Sequence, residues 1–553
     1  MKTKRSDELT KQEKENLSSY LSDVDADVFV ISNLNPEVVG AALARYSRAP
    51  TGLKETVVRE FLNPDGTPNE VKGTELIDRV VNKYGDESVA ELAVAPLCIE
   101  NVSNLMTKII EDCRIGGSPI EESTRYVLYD TKRNEQWRYV RPESIMKSGL
   151  AKSYVQTMDF LFETYAELVE PMQNFFCKKL PAETFKIEVE RDGLVAMAGS
   201  NDLDNDKEKR AHRLAYGFTI RSAACDVIRC ILPVSTKANM GLVGNGRFYS
   251  GLITKLLSQE LDEGWLLAEN IRKALDTQIP TFIRRASKND YLAENQIRIR
   301  EFSIALFKDI PIQMVPEVVL INDRVEDYRI NLLANIIFPY VQHSTMQIRN
   351  IVRSLPKEKQ NEILSTVIGK RRTKRDRSPR AFEYGYPINF DVVTGFAEYR
   401  DLQRHRMLTQ QRQDMNVSLG YSVPEEIEEI GRGEVVQECF ERAESLHSDL
   451  IKAGLVREAQ YAPLFNHFIR WNMGMNLREF GHLTELRSQK AGHPKYRRTV
   501  QVMAKLYMDR HPEMEPILRF VDYNDYDQGI TRAEQEARTA RKSLATGVFD
   551  DMD

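Results

Sequence analysis

Six cysteines in 553 residues, none in a CxxC pair, are too few and too scattered for a disulfide framework. Cys98, Cys113, Cys177, Cys225, Cys230 and Cys439 sit mostly in apolar contexts, which fits reduced thiols in a cytoplasmic protein. No apolar run is long enough to span a bilayer, so no membrane partner is expected. The stretch Met1 to Ser19 is polar and charged with no apolar core, and no signal peptide is expected in it. A net charge of −5 leaves no global basic field to draw nucleic acid. There is no glycine-rich dinucleotide loop, and no His/Cys/Asp/Glu spacing suggests a metal site. The dense basic run Lys370–Arg377 has no interleaved aromatics and reads as a solvated loop rather than a nucleic-acid groove.

What is present is the composition of a globular protein, 42% hydrophobic and 29% charged, on a chain long enough for several domains. A helix is predicted from Pro36, closed by Pro50, and a second over Glu70–Tyr84. The apolar run Leu92–Ile99 has strand length, and Val102, Leu105, Met106, Ile109, Ile110 and Cys113 follow at helical spacing. Arg114–Tyr126 then reads as a polar turn. The same layout recurs downstream, because an offset of 292 carries Glu91 onto Glu383 and Arg114 onto Arg406 without a gap. The later copy alternates Tyr384, Tyr386, Ile388, Phe390 and Val392 on one strand face. A period this long implies two related α+β domains in tandem, over 1–295 and 296–525, followed by a charged tail over 526–553 that is expected to be a helix end and loose chain.

Arg404-His405-Arg406 places two guanidiniums and an imidazole in three residues beside a buried segment. Such a cluster either caps a helix end or meets an anion such as a nucleotide phosphate. Asn476-Leu-Arg478 has the same two readings, cap and ligand, and one residue can do both.

With these segments placed, the chain resembles the flavin-dependent thymidylate synthases. That family carries an Arg-His-Arg turn, an Asn-Glu-x-Ser-x-Arg-Tyr ending, an Arg-x-x-Leu-Pro segment, and Asn-x-Arg opening a helix that bears another arginine. The first copy keeps Glu121-x-Ser123-Thr124-Arg125-Tyr126, Arg229 with Leu232-Pro233, and Ala44-Arg45-Tyr46-Ser47, but has Cys113 in the cationic turn. The second keeps Arg404-His405-Arg406, Asn476, Arg478 and Arg487, but has Gln413–Asn416 where the serine and arginine belong. Each copy holds half a site, so the resemblance implies an intrachain pseudodimer with the active site shared between repeats, two chains forming a homodimer of pseudodimers.

The implied activity is reductive methylation of dUMP to dTMP with FAD, methylenetetrahydrofolate and NADPH. The implied substrate residues are Glu121, Ser123, Thr124, Arg125, Arg229, Arg404 and Arg487, with Arg404 and Arg487 flanking the pyrimidine as catalytic groups and Glu121 orienting an arginine. The flavin would meet Ser47, His405, Arg406, Asn476, Arg478 and His482. Asp86 and Asp401 replace a histidine and a glutamine of the pattern. They motivate one alternative, a related flavoenzyme that modifies another pyrimidine nucleotide or adds a different one-carbon group; a second alternative is a non-catalytic nucleotide-binding or scaffold descendant.

Overall fold

A computed structural model describes residues 9–47, 49–83, 87–322, 328–369, 381, 388–510, 512, 518, 520–526, 530 and 532–546. The basic run over 370–377, Asp86 and Glu383 lie outside them. Helices and sheets are mixed along the chain, and the chain divides into two compact units. The first draws on Met1–Val102, Met106–Glu121 and Ala238–Ala293; the second on Ser103–Leu105, Glu122–Lys237 and Glu294–Asp553.

In the first unit, Asn35 caps a helix over Pro36–Tyr46, with the proline at a position where no amide hydrogen is needed. The helix predicted over Glu70–Tyr84 is α-helical only to Ile77 and continues as a π turn over Asp78–Lys83. Three strands form a sheet: β1 (Val94–Ser103), β2 (Gly117–Glu121) and, further on, β5 (Lys237–Asn245), in the order β1-β5-β2. β2 lies inside the stretch read from sequence as a turn. It is an edge strand, which is why Pro119 and two small residues suffice to form it.

The second unit holds a hairpin of β3 (Lys186–Arg191) and β4 (Leu194–Gly199), and a four-stranded sheet in the order β6-β7-β9-β8. Its strands are β6 (Val318–Asn322), β7 (Ile388–Gly395), β8 (Thr409–Arg412) and β9 (Phe468–Met475). β7 is buried on both faces rather than alternating, because helices cover both sides. On one face Phe390 stacks on Phe480 of the helix Leu477–Arg487, and Trp471 meets Tyr399 of the helix Phe396–Leu402. The other face carries polar anchors: Asn472 donates to Asn335 at 2.6 Å, and the Thr345 amide donates to Asp391 at 2.8 Å.

The offset read from sequence also relates strands of the structure. The offset of 292 carries the end of β1 onto the end of β7 and the start of β2 onto the start of β8. An offset of 231 carries β5 onto β9 and Asn245 onto Asn476; both asparagines cap the helix that follows. The strand orders β1-β5-β2 and β7-β9-β8 are therefore the same. Within the second unit, Pro233 pairs antiparallel with Leu464, its own counterpart at that offset, through Val234 N to Pro463 O and Phe465 N to Leu232 O, each 2.9 Å.

Two further expectations change. The helix expected over Glu425–Ala453 is broken into Glu425–Glu429 and Gly433–Lys452, with Gly431 at φ 69° between them, a backbone conformation that glycine adopts without strain. The C-terminal segment is not loose over 533–546. It forms a helix whose Ala540 joins a buried cluster with Phe185, Ile187, Val189, Ala198, Ala211 and Ala215.

A candidate anion site in the second unit

Three pieces of backbone converge in the second unit. Ser123-Thr124-Arg125 follows β2 and turns on the Ser123 hydroxyl, which accepts from the Arg125 amide at 3.3 Å. Arg229 opens a 3-10 turn that ends the helix Asp206–Ile228. Arg400 and Asp401 lie on the helix Phe396–Leu402, with Arg404 just beyond its end. Together Ser123, Thr124, Arg125, Arg229, Ala397, Arg400, Asp401 and Arg404 line a small cleft.

Asp226 organises the cations. Arg125 grips it with both arms of its guanidinium, Nε to Oδ1 at 2.7 Å and Nη2 to Oδ2 at 2.5 Å. Burial opposes the charge on Arg125, but Asp226 outweighs it and holds the guanidinium protonated. Burial also opposes ionisation of Asp226, yet Arg125 and Arg229 hold its carboxyl far below the usual range. Arg229 Nη2 lies 3.7 Å from Asp226 and 4.0 Å from Asp401 Oδ2. Asp401 is likewise kept ionised against burial by Arg229, Arg125, Arg404 and Arg487. Arg400 Nη1 donates to the Thr124 hydroxyl at 2.9 Å. Four arginines against Asp226 and Asp401 leave an excess of positive charge, which suits an anionic group.

Beside the cleft, His405 is buried between two partners. Its Nε2 accepts from Arg487 Nε at 3.0 Å, so its Nδ1 hydrogen donates to Glu479 Oε1 at 2.8 Å. Burial, with Arg487 and His482 adding to it, pushes this imidazole below its ordinary value and favours the neutral ring. The His482 ring lies 5.6 Å from it, edge-on, and His482 and Arg406 are exposed.

The structure thus gathers Ser123, Thr124, Arg125, Arg229 and Arg404 in one cleft, with Arg487 joined to His405. Glu121 belongs to the first unit, where its carboxylate accepts from Thr107 and Lys108, each at 2.9 Å. Ser47 is also in that unit and donates to Ala44 O at 2.9 Å. The Asn476 side chain is committed to capping, accepting from Glu479 N at 3.0 Å, and the Arg478 side chain lies outside the described part. Sequence reasoning missed Asp226 and Arg400. The first sits three residues before Arg229 and the second four before Arg404, so helical spacing from the known arginines was the available signal.

The family model described as thymidylate synthase complementing protein matches residues 29–281 and 340–513. The chain belongs to this family. Within reach of it are relatives named only as UPF0159 proteins. One from Chlamydia muridarum is 33% identical over 550 residues, covering 96% of this chain and 98% of its own length. One from Thermoplasma acidophilum is 30% identical, covering 92% and 99%. Among solved structures, a flavin-dependent thymidylate synthase from Helicobacter pylori complexed with FAD and dUMP matches 46% of this chain and 96% of its own at 16% identity, with a TM-score of 0.24. Family membership confirms the resemblance read from the motifs.

Proposed function

We propose that this member of the family reductively methylates dUMP to dTMP with FAD, methylenetetrahydrofolate and NADPH, at a site to which both halves of the chain contribute. The observation that carries this reading is the cleft itself, where Ser123, Thr124, Arg125 and Arg229 of the first half stand with Arg404 of the second. Each half supplies what the other lacks. On this reading the halves over 1–295 and 296–525 are synthase-like repeats of an intrachain pseudodimer. The recurring strand order and the two-segment family match are consistent with duplication, and two chains would associate.

The residues fit the chemistry. Arg125, fixed by Asp226, presents a planar cation to a phosphate. Arg229 is 3% exposed at its side chain, and its buried Nε and Nη2 have no hydrogen-bond partner among the described residues, as expected of a donor awaiting a ligand. Arg404 and Arg487 would stabilise negative charge developing on the pyrimidine. FAD would be held by His405, Arg406, Asn476, Arg478 and His482. The exposed cation of Arg406 and the His482 ring beside a His405 locked in one tautomer suit a flavin and its phosphates. Bound there and reduced by NADPH, the flavin would supply the reducing equivalents.

Purified protein is expected to be yellow, with flavin absorbance bleached by NADPH in a dUMP-dependent way. A colourless protein that cannot be reconstituted with FAD would sink the proposal. Arg404→Ala and Arg125→Ala should each lower turnover by roughly 100-fold or more. Full activity in Arg125→Ala would show that the site is not shared.

A further inference from the structure

Among the described residues, Asp401 is the one carboxylate lining the cleft, at a position where an acid has no use for a phosphate. Its side chain is 14% exposed and ionised, and its buried Oδ2 finds no hydrogen-bond partner among the described residues. The neighbouring Nη2 of Arg229, 4.0 Å away, is in the same condition. An unsatisfied buried acceptor beside an unsatisfied buried donor is costly unless a third group joins them. The complementary group offers an acceptor next to an N–H. A phosphate has no such pair, but a pyrimidine ring edge does: a carbonyl beside N3–H in uracil, or N3 beside the exocyclic amine in cytosine.

We propose that Asp401 is a specificity-determining residue that, with Arg229, reads the edge of the pyrimidine ring, the arginine donating to the ring acceptor and the carboxylate accepting from the adjacent N–H. The inference rests on the reading that the cleft takes a pyrimidine nucleotide, and it assigns the base and the phosphate to different ends of it. Arg125 takes the phosphate. The Arg229–Asp401 pair takes the base.

The test is equilibrium binding to the full chain, wild type against Asp401→Ala and Asp401→Asn, of dUMP, N3-methyl-dUMP, dCMP and deoxyribose 5-phosphate. Removing the acid leaves the cleft more positive, so deoxyribose 5-phosphate binds as tightly or more tightly. In Asp401→Ala, dUMP weakens by roughly ten-fold or more, and its preference over the N3-methyl form falls to about two-fold or less. Asp401→Asn, which keeps the shape and one acceptor, lies between. The opposite movement of the two ligands is the signature, since a purely electrostatic role would tighten both. The inference is overturned if dUMP and the sugar phosphate tighten together, or if the wild type binds N3-methyl-dUMP as well as dUMP. A wild-type preference for dCMP that Asp401→Ala abolishes would uphold the edge reading and overturn dUMP as substrate. Failure of every nucleotide to bind folded protein would remove the functional reading, and this inference with it.

Discussion

His493 caps the helix Pro494–Met508, its Nδ1 accepting from the Lys495 amide at 3.3 Å. Burial pushes its imidazole down to about 3, with Arg229, Arg125 and Lys495 adding to the effect against Asp226. The consequence for stability follows from linkage. Above pH 6.5 the ring is neutral in both folded and unfolded chains and adds no pH dependence. Between about 6.5 and about 3 the unfolded chain takes up a proton that the folded one refuses, so stability falls as pH falls. His493→Asn keeps a capping acceptor without a titrating group, and unfolding midpoints measured from pH 7.5 to 4.5 should fall less steeply in this variant than in the wild type. Equal slopes would mean that His493 gains its proton in the folded state. The same neighbourhood shows where sequence reading stops. Arg125 and Arg229 were visible as motif residues, but their organiser Asp226 lies 101 positions from Arg125, and Arg400 lies 276 from Thr124. Neither contact leaves a local pattern in the chain.

At the level of elements, strongly periodic segments were legible and weakly apolar ones were not. The helix Pro36–Tyr46 and the strand–helix succession before Arg404 could be read from spacing. β2 could not, because an edge strand of five residues with a proline carries little apolar signal. The C-terminal helix Ala533–Thr546 escaped for a similar reason: it docks through Ala537 and Ala540, and alanines at helical spacing among charges look like solvated chain. Its docking is nonetheless specific, with Arg541 Nε 3.4 Å from Glu188 of β3. Ala540→Asp, which puts a carboxylate among Phe185, Ile187 and Val189, should destabilise the protein by about 1–3 kcal/mol in urea titrations. A change within about 0.5 kcal/mol, the range of ordinary surface substitutions, would show that the helix adds nothing to the fold.

For the molecule as a whole, the two sets of positions related by the repeat offsets differ in character. The offsets that align the strands carry Arg125 onto Val417, Arg229 onto Gln460, Arg400 onto Lys108, Arg404 onto Asp112 and Arg487 onto Leu256. The one cation in that second set, Lys108, is buried and held by Glu121 at 2.9 Å and Glu111 at 2.6 Å. Gln460 serves as an internal brace, accepting from Met415 N and donating to Arg457 O. Titration calorimetry with dUMP should therefore give one nucleotide per chain. Two per chain would mean that the second set still binds, and would leave the first site standing.

The pairing of Pro233 with Leu464 carries a genetic consequence. If two separate identical chains met along such an axis, the residues facing each other would be encoded by one codon, and any mutation there would be tested twice in the same molecule. Residues that pair with their own equivalents could then only ever be like facing like. Joined in one reading frame, the two codons vary independently. A proline opposite a leucine requires that the two positions be encoded separately, as they are in this chain.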